Sequence, residues 1–442
     1  SSSSAASDVY KRQPSCSTIA TDGMAILTDD SEIQEARTIA LELLLSEHIG
    51  DCEAPCRIAC PAYMDIPQMN RHIADGDADK AIAIVMKDIA LPSTLGRICP
   101  APCEGACHRK GIDDAVAICL LKRYAGDQGS YTPPKSAEPM GKRVAIIGAG
   151  SAGLSAAYYI QIKGIECHLY DGNPEPGGEM RYSIPPETLE RETLDREVKR
   201  VLDTGVKMYG SSTIDSFKFK EITQTYDAVV VATGNLTPEV ASWGMEHNQK
   251  QLLVERGTYR TNLPNVFAIG NTNRSMRMAI RSAAQGKEVA FSIEQLLTGA
   301  EVKGEPKLFN SRIGKLLTDE YNQYLQGVSK EPRATIGNEQ KGYIPEQAQL
   351  EASRCMHCEC LKPTTCQLRI LADAYGAKRK RFDYEKRKPV RKYLQHQFVT
   401  YEPGKCIKCG ICVRLTAKHR EQLGLTFIGR GFDVQIGVPL TG

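Results

Sequence analysis

The hydrophobic pattern of the chain is most regular around a short apolar run, Val144 to Ile147, which is followed by glycines and then by small residues. A continuous apolar run of this length predicts a strand buried on both faces, as in a parallel sheet. The small residues predict a helix, and a second strand, Glu166 to Tyr170, leads to Asp171. The order strand, glycine turn, helix, strand and acid is the pattern of a dinucleotide-binding βαβ unit.

The glycine turn has the spacing that this chemistry requires. Gly148 permits the tight turn, Gly150 lets the backbone approach a pyrophosphate, and Gly153 lets helix and strand pack closely. The helix begins near Ser151, and the N–H groups of its first turn favour a phosphate. Asp171, 18 residues after Gly153, is expected to accept a hydrogen bond from a ribose hydroxyl.

The periodicity of apolar residues predicts further helices and one further buried strand. The helices are expected over 31–46, 66–74, 78–87, 118–125 and 278–297, and the strand over 226–234.

Composition narrows the class of protein. The 56 basic and 53 acidic residues leave a formal net charge of +3, which gives no global signal for nucleic acid or a membrane surface. No apolar run approaches the roughly 20 residues that span a bilayer. Residues 1–13 lack periodicity and the apolar segment of a signal peptide, and we expect a disordered tail or a cloning or gene-model artefact.

Sixteen cysteines are the unusual feature, and thirteen of them fall in four groups with short spacings. The groups are Cys52, Cys56 and Cys60; Cys99, Cys103 and Cys107; Cys355, Cys358, Cys360 and Cys366; and Cys406, Cys409 and Cys412. Such spacings suit metal centres better than the disulfide framework of a short secreted chain. The sequence therefore predicts a reducing compartment, the cytoplasm.

The first two cysteine groups, the sequence RICPAPCEGACHRKG at 97–111 and the glycine turn behind it resemble one family. It is the small (β) subunit of NADPH-dependent glutamate synthase, with the matching domains of dihydropyrimidine dehydrogenase and of electron-bifurcating transhydrogenases. The resemblance covers roughly residues 48–300. It implies a helical domain that holds two 4Fe–4S clusters with interleaved ligands, Cys52, Cys56 and Cys107 for one and Cys60, Cys99 and Cys103 for the other.

Each of these ligand sets lacks a fourth member. His48 stands near the place of the missing cysteine of the first cluster, and an imidazole can bind iron; the alternative is a residue that merely ends a helix. For the second cluster the family has Gln or Glu where this chain has Lys122, and an ammonium offers no lone pair. Cys119 is either its replacement or a small core cysteine.

The same resemblance implies FAD. The stretch GGEMRYSIP (177–185) resembles the segment along the isoalloxazine ring, and YDAVVVATG (226–234) and LPNVFAIGN (263–271) resemble the second and third flavin motifs. Asn271 replaces the more common Asp of the third motif but keeps hydrogen-bonding capacity. The residues expected around the flavin in these three stretches are Gly178, Met180, Arg181, Thr233, Gly234, Gly270 and Asn271.

One departure from the family concerns the nicotinamide site. The family places a second Rossmann domain, which binds NADPH, between the second and third flavin motifs. Here only 28 residues separate Gly234 from Leu263, without a second glycine motif. We expect a chain that binds FAD but has lost the NAD(P)H site; a deletion in the gene model is the alternative.

The two ends of the chain resemble the large iron–sulfur subunit of respiratory complex I. There, a residue like Cys16 is the last ligand of a 2Fe–2S ferredoxin domain, and the earlier ligands are missing here. The run KCIKCGICVR (405–414) resembles its ferredoxin-like segment, but Thr416 stands where the bacterial pattern has a fourth cysteine. We therefore expect Cys16 to hold no cluster alone and the chain to be cut at both ends.

Two features between these segments leave alternatives open. The CxxC at Cys355–Cys358 with its two following cysteines predicts a 4Fe–4S site, with zinc as the alternative, and His357 is expected to be a solvated neighbour. The basic run 378–392, with nine Lys or Arg, indicates either a solvated face or a surface for an acidic ferredoxin-like partner.

The predicted fold class is α/β, with a doubly wound, Rossmann-like FAD domain between a helical double iron–sulfur domain and a ferredoxin-like iron–sulfur region. The expected segments are 1–13 (tail), 14–47 (2Fe–2S remnant and helix), 48–139 (helical iron–sulfur domain), 140–303 (FAD domain), 304–350 (linker) and 351–442 (ferredoxin-like region).

The predicted function is that of an FAD and 4Fe–4S oxidoreductase subunit that relays electrons between flavin and clusters. Expected partners are other oxidoreductase subunits or ferredoxin-like carriers, with no nucleic acid and no membrane insertion. No acid–base constellation stands out, so no catalytic side chain is predicted. The alternatives are a glutamate synthase-type NADPH oxidoreductase or transhydrogenase subunit, and a scaffold with structural cofactors.

Overall fold

The computed structural model describes residues 19, 21–24, 29–134, 136–337, 341–362, 364–382, 389–396, 399–421, 424–431 and 434–438. The chain divides into two compact units. The larger comprises 53–307 and 324–359, and the smaller comprises 1–52, 308–323 and 360–442. Cys16, with the predicted 2Fe–2S remnant around it, and residues 383–388 of the basic run lie outside the described residues.

The helices follow in chain order. They are α1 (Ser31–Glu47), α2 (Pro55–Ala59), α3 (Ile66–Ala74), α4 (Ala78–Met86), α5 (Pro92–Ile98), α6 (Pro102–Gly105), α7 (Ile118–Gln128), α8 (Ser151–Gln161), α9 (Glu179–Tyr182), α10 (Arg191–Leu202), α11 (Ser216–Thr225), α12 (Pro238–Ala241), α13 (Ala279–Leu297), α14 (Thr318–Tyr324), α15 (Pro345–Ala352), α16 (Gln367–Ala374) and α17 (Ile411–Lys418). Short 3₁₀ turns occupy His108–Gly111, Gly270–Thr272, Arg379–Phe382 and Pro403–Lys405.

The strands are β1 (Arg143–Ile147), β2 (Glu166–Tyr170), β3 (Lys207–Tyr209), β4 (Ala228–Val231), β5 (Val266–Ala268), β6 (Tyr393–His396), β7 (Val399–Tyr401), β8 (Thr426–Ile428) and β9 (Gln435–Gly437). The first five form one parallel sheet in the order β3-β2-β1-β4-β5, and the others form two antiparallel pairs, β6-β7 and β8-β9.

The parallel sheet has packed helices on both faces, because the apolar residues of its central strands alternate between two cores. Val144 and Ile146 of β1 join the core that contains α8, α10 and α13, whereas Ala145 and Ile147 join the core under α11. The predicted doubly wound α/β fold is confirmed, and the order of strands puts β1 at the centre of the sheet.

The helical domain is joined to the sheet domain by buried polar contacts within the larger unit. Glu197 of α10 is fully buried and accepts hydrogen bonds from the N–H groups of Ser93 (2.7 Å) and Thr94 (2.8 Å) at the start of α5. Lys287 of α13 is buried and forms an ion pair with Asp88 at 2.8 Å. These contacts fix the cysteine-bearing helices against the nucleotide-type domain.

The smaller unit packs α1 against α16. Leu41, Leu45, Ala372 and Ala377 form its apolar core. Glu42, which is also buried, accepts hydrogen bonds from the backbone N–H of Lys378 at 2.9 Å and from the Arg381 guanidinium at 3.0 Å. Over the whole described chain, no helix combines the length and apolarity needed to cross a bilayer.

Glu197→Ala tests the junction between helical and sheet domains. The change leaves two buried N–H groups without an acceptor, and each such group costs about 1–3 kcal/mol. We expect the free energy of unfolding to fall by about 2–6 kcal/mol, measured by urea titration with the fluorescence of Trp243 as the probe.

Lys199→Ala is the matched control, because Lys199 lies on the same helix and is largely exposed. It should change the free energy of unfolding by less than about 0.5 kcal/mol. Equal effects of the two substitutions would show that the buried carboxylate does not stabilise the junction.

Candidate functional site

The glycine turn after β1 leaves an open space above the sheet. A Cβ atom at Gly148, whose φ is +110°, would lie 2.3 Å from the carbonyl oxygen of Ala232, and one at Gly153 would lie 1.8 Å from the carbonyl oxygen of Gly148. A Cβ at Gly150 would meet no heavy atom within 4 Å. The fold itself therefore requires glycine at positions 148 and 153, whereas Gly150 leaves the space beside the turn free of protein atoms.

Helix α8 starts beside that space and has no side-chain cap at its N-terminus. The N–H groups of its first turn, from Ser151 onward, lack intrahelical acceptors and favour an anion such as a pyrophosphate. The open position at Gly150 and the uncapped helix together fit the phosphates of a dinucleotide.

Asp171 braces the same loop. One carboxylate oxygen accepts a hydrogen bond from the backbone N–H of Ala149 at 2.6 Å. The other accepts from the backbone N–H (2.8 Å) and the side-chain amide (2.9 Å) of Asn173. A carboxylate has about four lone-pair positions, so these contacts leave capacity for the ribose hydroxyl that the sequence predicts.

The GGEMRY segment lies against the glycine turn. The backbone N–H of Gly177 donates to the carbonyl of Ala149 at 2.8 Å, and a Cβ at Gly178 would lie 2.9 Å from the Cα of Gly150. Met180 is buried. Arg181 is also buried, and its guanidinium binds the carbonyl of Pro176 at 2.7 Å and the carboxylate of Asp195, so it orders its own loop.

The second and third motifs meet at the same edge of the sheet, where β4 and β5 end. The Thr272 hydroxyl donates to the carbonyl of Gly234 at 2.8 Å, and its oxygen lies 3.4 Å from the hydroxyl oxygen of Thr233. The N–H of Gly270 donates to the Gln285 side chain at 2.7 Å. Asn271 accepts a hydrogen bond from the backbone N–H of Met276 at 3.0 Å.

All predicted flavin-site residues thus follow the carboxyl ends of parallel strands, which is where ligands bind in open α/β sheets.

Four thiols line one cavity of the helical domain, which we call the Cys99 cavity. Its walls include Cys60, Cys99, Cys103 and Cys119, together with Lys122 and Ile280. Cys119 therefore joins the three cysteines that the family resemblance grouped. Ile280 belongs to α13, the helix that follows the third flavin motif.

The electrostatics of the Cys99 cavity follow from burial and from a thiol–thiol contact. A hydrogen bond from Cys119 lowers the pKa of Cys99 to about 6. Burial raises the pKa of Cys103 to about 12. Burial alone would lower the pKa of the buried Lys122, but the neighbouring cysteines, as thiolates, raise it. A buried ammonium beside several thiols favours their anionic form, which is the form that binds metal.

Four other thiols line a second cavity, which we call the Cys56 cavity. They are Cys56, Cys107, Cys355 and Cys358, and His357, Asn70 and Arg109 also line it. Cys52, which the sequence grouped with Cys56 and Cys107, is not among them and belongs to the smaller unit.

Cys360 and Cys366 also belong to the smaller unit, with Cys52. The backbone N–H of Cys360 donates to the carbonyl of Cys52 at 3.3 Å. Burial raises the pKa of the Cys52 thiol, and Cys360 and Cys366 act in the same direction.

His48 is in this unit as well. Its Nδ1 is buried and has no hydrogen-bond partner among the described residues. Burial, with the charge of Lys405, lowers the pKa of His48 to about 4.

Cys406, Cys409 and Cys412 surround the start of α17, and Cys409 is exposed. Thr416, at the place of the absent fourth cysteine, donates to the carbonyl of Val413 and accepts from the N–H of Leu425, both at 3.1 Å.

Two of the CxxC turns, Cys355–Cys358 and Cys406–Cys409, share a backbone feature. His357, before Cys358, has φ +43°, and Lys408, before Cys409, has φ +58°. Left-handed conformations are rare for residues other than glycine, and such strain concentrates at functional sites. Among the described residues, no three His, Cys, Asp or Glu side chains are grouped as the ligands of a single metal ion.

Comparisons with known proteins agree with the two kinds of site. Residues 45–132 match the family described as dihydropyrimidine dehydrogenase domain II, 4Fe-4S cluster, and residues 102–286 match the pyridine nucleotide-disulphide oxidoreductase family. These matches confirm the predicted combination of a 4Fe–4S domain with an FAD-type domain, and with it the oxidoreductase class.

Three curated relatives are similar over the same extent of chain. The NADPH-Fe(3+) oxidoreductase subunit beta of Geobacter sulfurreducens is 39% identical over 188 residues, 41% of this chain and 28% of the relative. The NADP(+)-dependent formate dehydrogenase subunit beta of Moorella thermoacetica is 34% identical, with 41% and 29% covered. The glutamate synthase [NADPH] small chain of Azospirillum brasilense is 34% identical, with 42% and 40% covered.

The matched part thus spans well under half the length of these relatives. The predicted resemblance to glutamate synthase-type oxidoreductases is confirmed.

The substitution Gly150→Ala tests whether Gly150 is needed to leave space for a ligand or to allow the turn to fold. Because a Cβ at Gly150 meets no protein atom within 4 Å, the substitution should leave the unfolding free energy of the flavin-free protein within about 0.5 kcal/mol. It should weaken FAD binding at least about tenfold, because the methyl group occupies the space for the pyrophosphate. Titration of flavin fluorescence measures the affinity.

Gly153→Ala is the comparison variant, since its Cβ would collide with the carbonyl of Gly148. It should destabilise the flavin-free protein itself. Unchanged FAD affinity in Gly150→Ala would exclude the glycine turn as the phosphate site.

Proposed function

We propose that this chain is an oxidoreductase subunit that holds FAD and 4Fe–4S clusters and relays electrons between them. When bound, FAD exchanges two electrons with small molecules or one at a time with clusters, which carry single electrons. The protein supplies binding, orientation and electrostatics.

The position of Ile280 is the observation that supports this proposal. This residue lines the Cys99 cavity and lies in the first turn of α13, which directly follows the third flavin motif. Gly286 of α13 also packs on α8, because a Cβ there would lie 2.5 Å from the carbonyl of Ala152. One rigid helix therefore adjoins the nucleotide loop and the thiol cavity.

Each group of residues has a distinct proposed role. Gly148 forms the turn, Gly150 and Ser151 bind phosphates through the backbone, and Asp171 orients a ribose. Thr272 and Gln285 hold the second and third motifs together by hydrogen bonds to Gly234 and Gly270. The buried apolar walls of the Cys99 cavity, such as Ile280 and Met64, exclude water from the thiols.

The electron donor is proposed to be another protein. The residues between the second and third motifs form the short α12 and an antiparallel bridge between His247 and Leu252, and none of them adds a strand to the parallel sheet. We propose that the chain lacks its own NAD(P)H site and receives or delivers electrons through a partner subunit or a ferredoxin-like carrier in the cytoplasm. The exposed Cys409 in the ferredoxin-like region is a proposed contact point for such a carrier.

The Cys99 cavity is proposed to hold its cluster through four cysteines. Cys119→Ala should therefore remove about four irons per chain, measured on anaerobically reconstituted protein by iron and sulfide analysis. Cys167→Ala is the control, because Cys167 is a buried cysteine that lies in β2, away from the other thiols. It should lower stability without loss of iron; full iron content in Cys119→Ala would exclude Cys119 as a ligand.

The relay is tested by the choice of reductant. In the reconstituted protein, NADPH should leave the visible absorbance of the flavin unchanged for minutes. Illumination with EDTA, which photoreduces flavin, should bleach the flavin and then produce the electron paramagnetic resonance (EPR) signal of reduced clusters. Rapid bleaching by NADPH would establish a nicotinamide site, and bleaching without a cluster signal would favour a scaffold.

A further inference from the structure

We propose that Cys355 and Cys358 complete the ligand set of Cys56 and Cys107. One 4Fe–4S cluster then joins the helical domain to a segment that begins 248 residues after Cys107. The family resemblance and the local spacing instead group Cys56 and Cys107 with Cys52 and His48. This inference deepens the proposed function, on whose 4Fe–4S clusters it rests.

The four thiols face one cavity from two parts of the chain. Cys56 lies in α2, Cys107 precedes the turn at His108–Gly111, and Cys355 and Cys358 follow α15. Cys56 and Cys355 are buried, and four cysteine thiolates are the usual ligand set of a 4Fe–4S cluster.

A buried ion network holds the two parts together. Arg354, which precedes Cys355, is fully buried and donates to the carboxylates of Glu351 (2.7 Å) and Asp113 (3.0 Å). Arg109, two residues after Cys107, binds both oxygens of Asp113 at 2.7 and 2.6 Å.

Arg109 also donates to the carbonyls of Ser329 (2.8 Å) and Arg354 (3.3 Å). Each side of the cavity therefore has an arginine next to its cysteine, and both arginines share the carboxylate of Asp113.

Glu351 extends the network into the helical domain. Its carboxylate accepts hydrogen bonds from the backbone N–H groups of Ala117 (2.8 Å) and Ala334 (2.7 Å). Such directional contacts fix the register of the 345–358 segment, because a shift by one residue would leave buried charges unpaired.

The turn between the two distal cysteines is also held in place. His357 has φ +43°, and its Nδ1 lies 3.1 Å from Arg71 of α3 and 3.8 Å from the Cys355 sulfur. Arg71 donates to Glu359 at 2.9 Å. The strained turn is therefore anchored to α3 of the helical domain through Arg71.

The boundary between the compact units supports the same grouping. It passes between Cys52 and Glu53 and again between Glu359 and Cys360. The two boundaries divide the local cysteine motifs. Cys56, Cys355 and Cys358 fall in the larger unit, whereas Cys52 and Cys360 fall in the smaller one. Within the smaller unit, the backbone N–H of Cys360 donates to the carbonyl of Cys52 at 3.3 Å.

Combined substitutions distinguish the two groupings by iron content, because losses from one cluster do not add, whereas losses from two clusters do. On our grouping, Cys56→Ala and Cys355→Ala each remove about four irons per chain, and the double variant removes no more. Cys52→Ala combined with Cys56→Ala should remove the sum of what the two single variants remove. The proposal would be overturned if the iron losses of Cys56→Ala and Cys355→Ala added in the double variant, while those of Cys56→Ala and Cys52→Ala did not.

The wild-type protein is the reference for the proposed function itself. Reconstituted wild type with fewer than about four irons per chain would contradict the cluster-bearing function, whereas normal iron with the opposite additivity contradicts only the grouping. FAD content, measured on every variant, reports whether the larger unit has folded.

A second measurement requires no substitution. In the iron-free wild-type chain, a short bifunctional thiol reagent should cross-link Cys56 or Cys107 to Cys355 or Cys358, and peptide mass spectrometry identifies the pairs. Cross-links from Cys56 to Cys52 in place of these pairs would overturn the proposal.

Discussion

The ion network of Arg109, Asp113, Glu351 and Arg354 is the constraint on which the cysteine arrangement of the larger unit depends. Glu351 and Arg354 are fully buried, so each charge needs its partners: removal of one member of such a pair costs about 3–5 kcal/mol. Apolar contacts would permit small shifts of the 345–358 segment along its neighbours, whereas paired buried charges do not. The network thereby holds Cys355 and Cys107 at one cavity.

The same principle operates at the other side of the helical domain. Glu197 binds the first turn of α5, which ends next to Cys99, and Lys287 pairs with Asp88 after α4, so this part of the helical domain is fixed to the sheet domain. Electron transfer becomes steeply slower with distance, and a relay between flavin and cluster therefore benefits from a junction that does not move. Ile280, at the start of α13, is the apolar residue that the rigid junction places at the wall of the Cys99 cavity.

Local patterns predicted much of this structure. The apolar run before Gly148 and the acid at Asp171 identified the βαβ unit because strand, turn and helix are contiguous there, and the helix over 66–74 was placed by its periodicity. Short helices such as Pro92–Ile98 escape such patterns because they have fewer than three turns. The position of Cys56 and Cys355 at one cavity cannot be predicted from spacing, since sequence separation says nothing about which distant thiols meet. From the sequence, Glu351 and Arg354 are expected to be polar residues at the edge of a linker, but both are fully buried in the structure.

The relay between FAD and clusters is tested most directly by the kinetics of a laser flash. A flash that reduces the flavin of the reconstituted chain should be followed by first-order loss of flavin reduction and matching growth of cluster reduction, at a rate independent of protein concentration. That result would establish electron transfer within one chain. A rate proportional to protein concentration, or a flavin that stays reduced while the clusters stay oxidised, would contradict the relay.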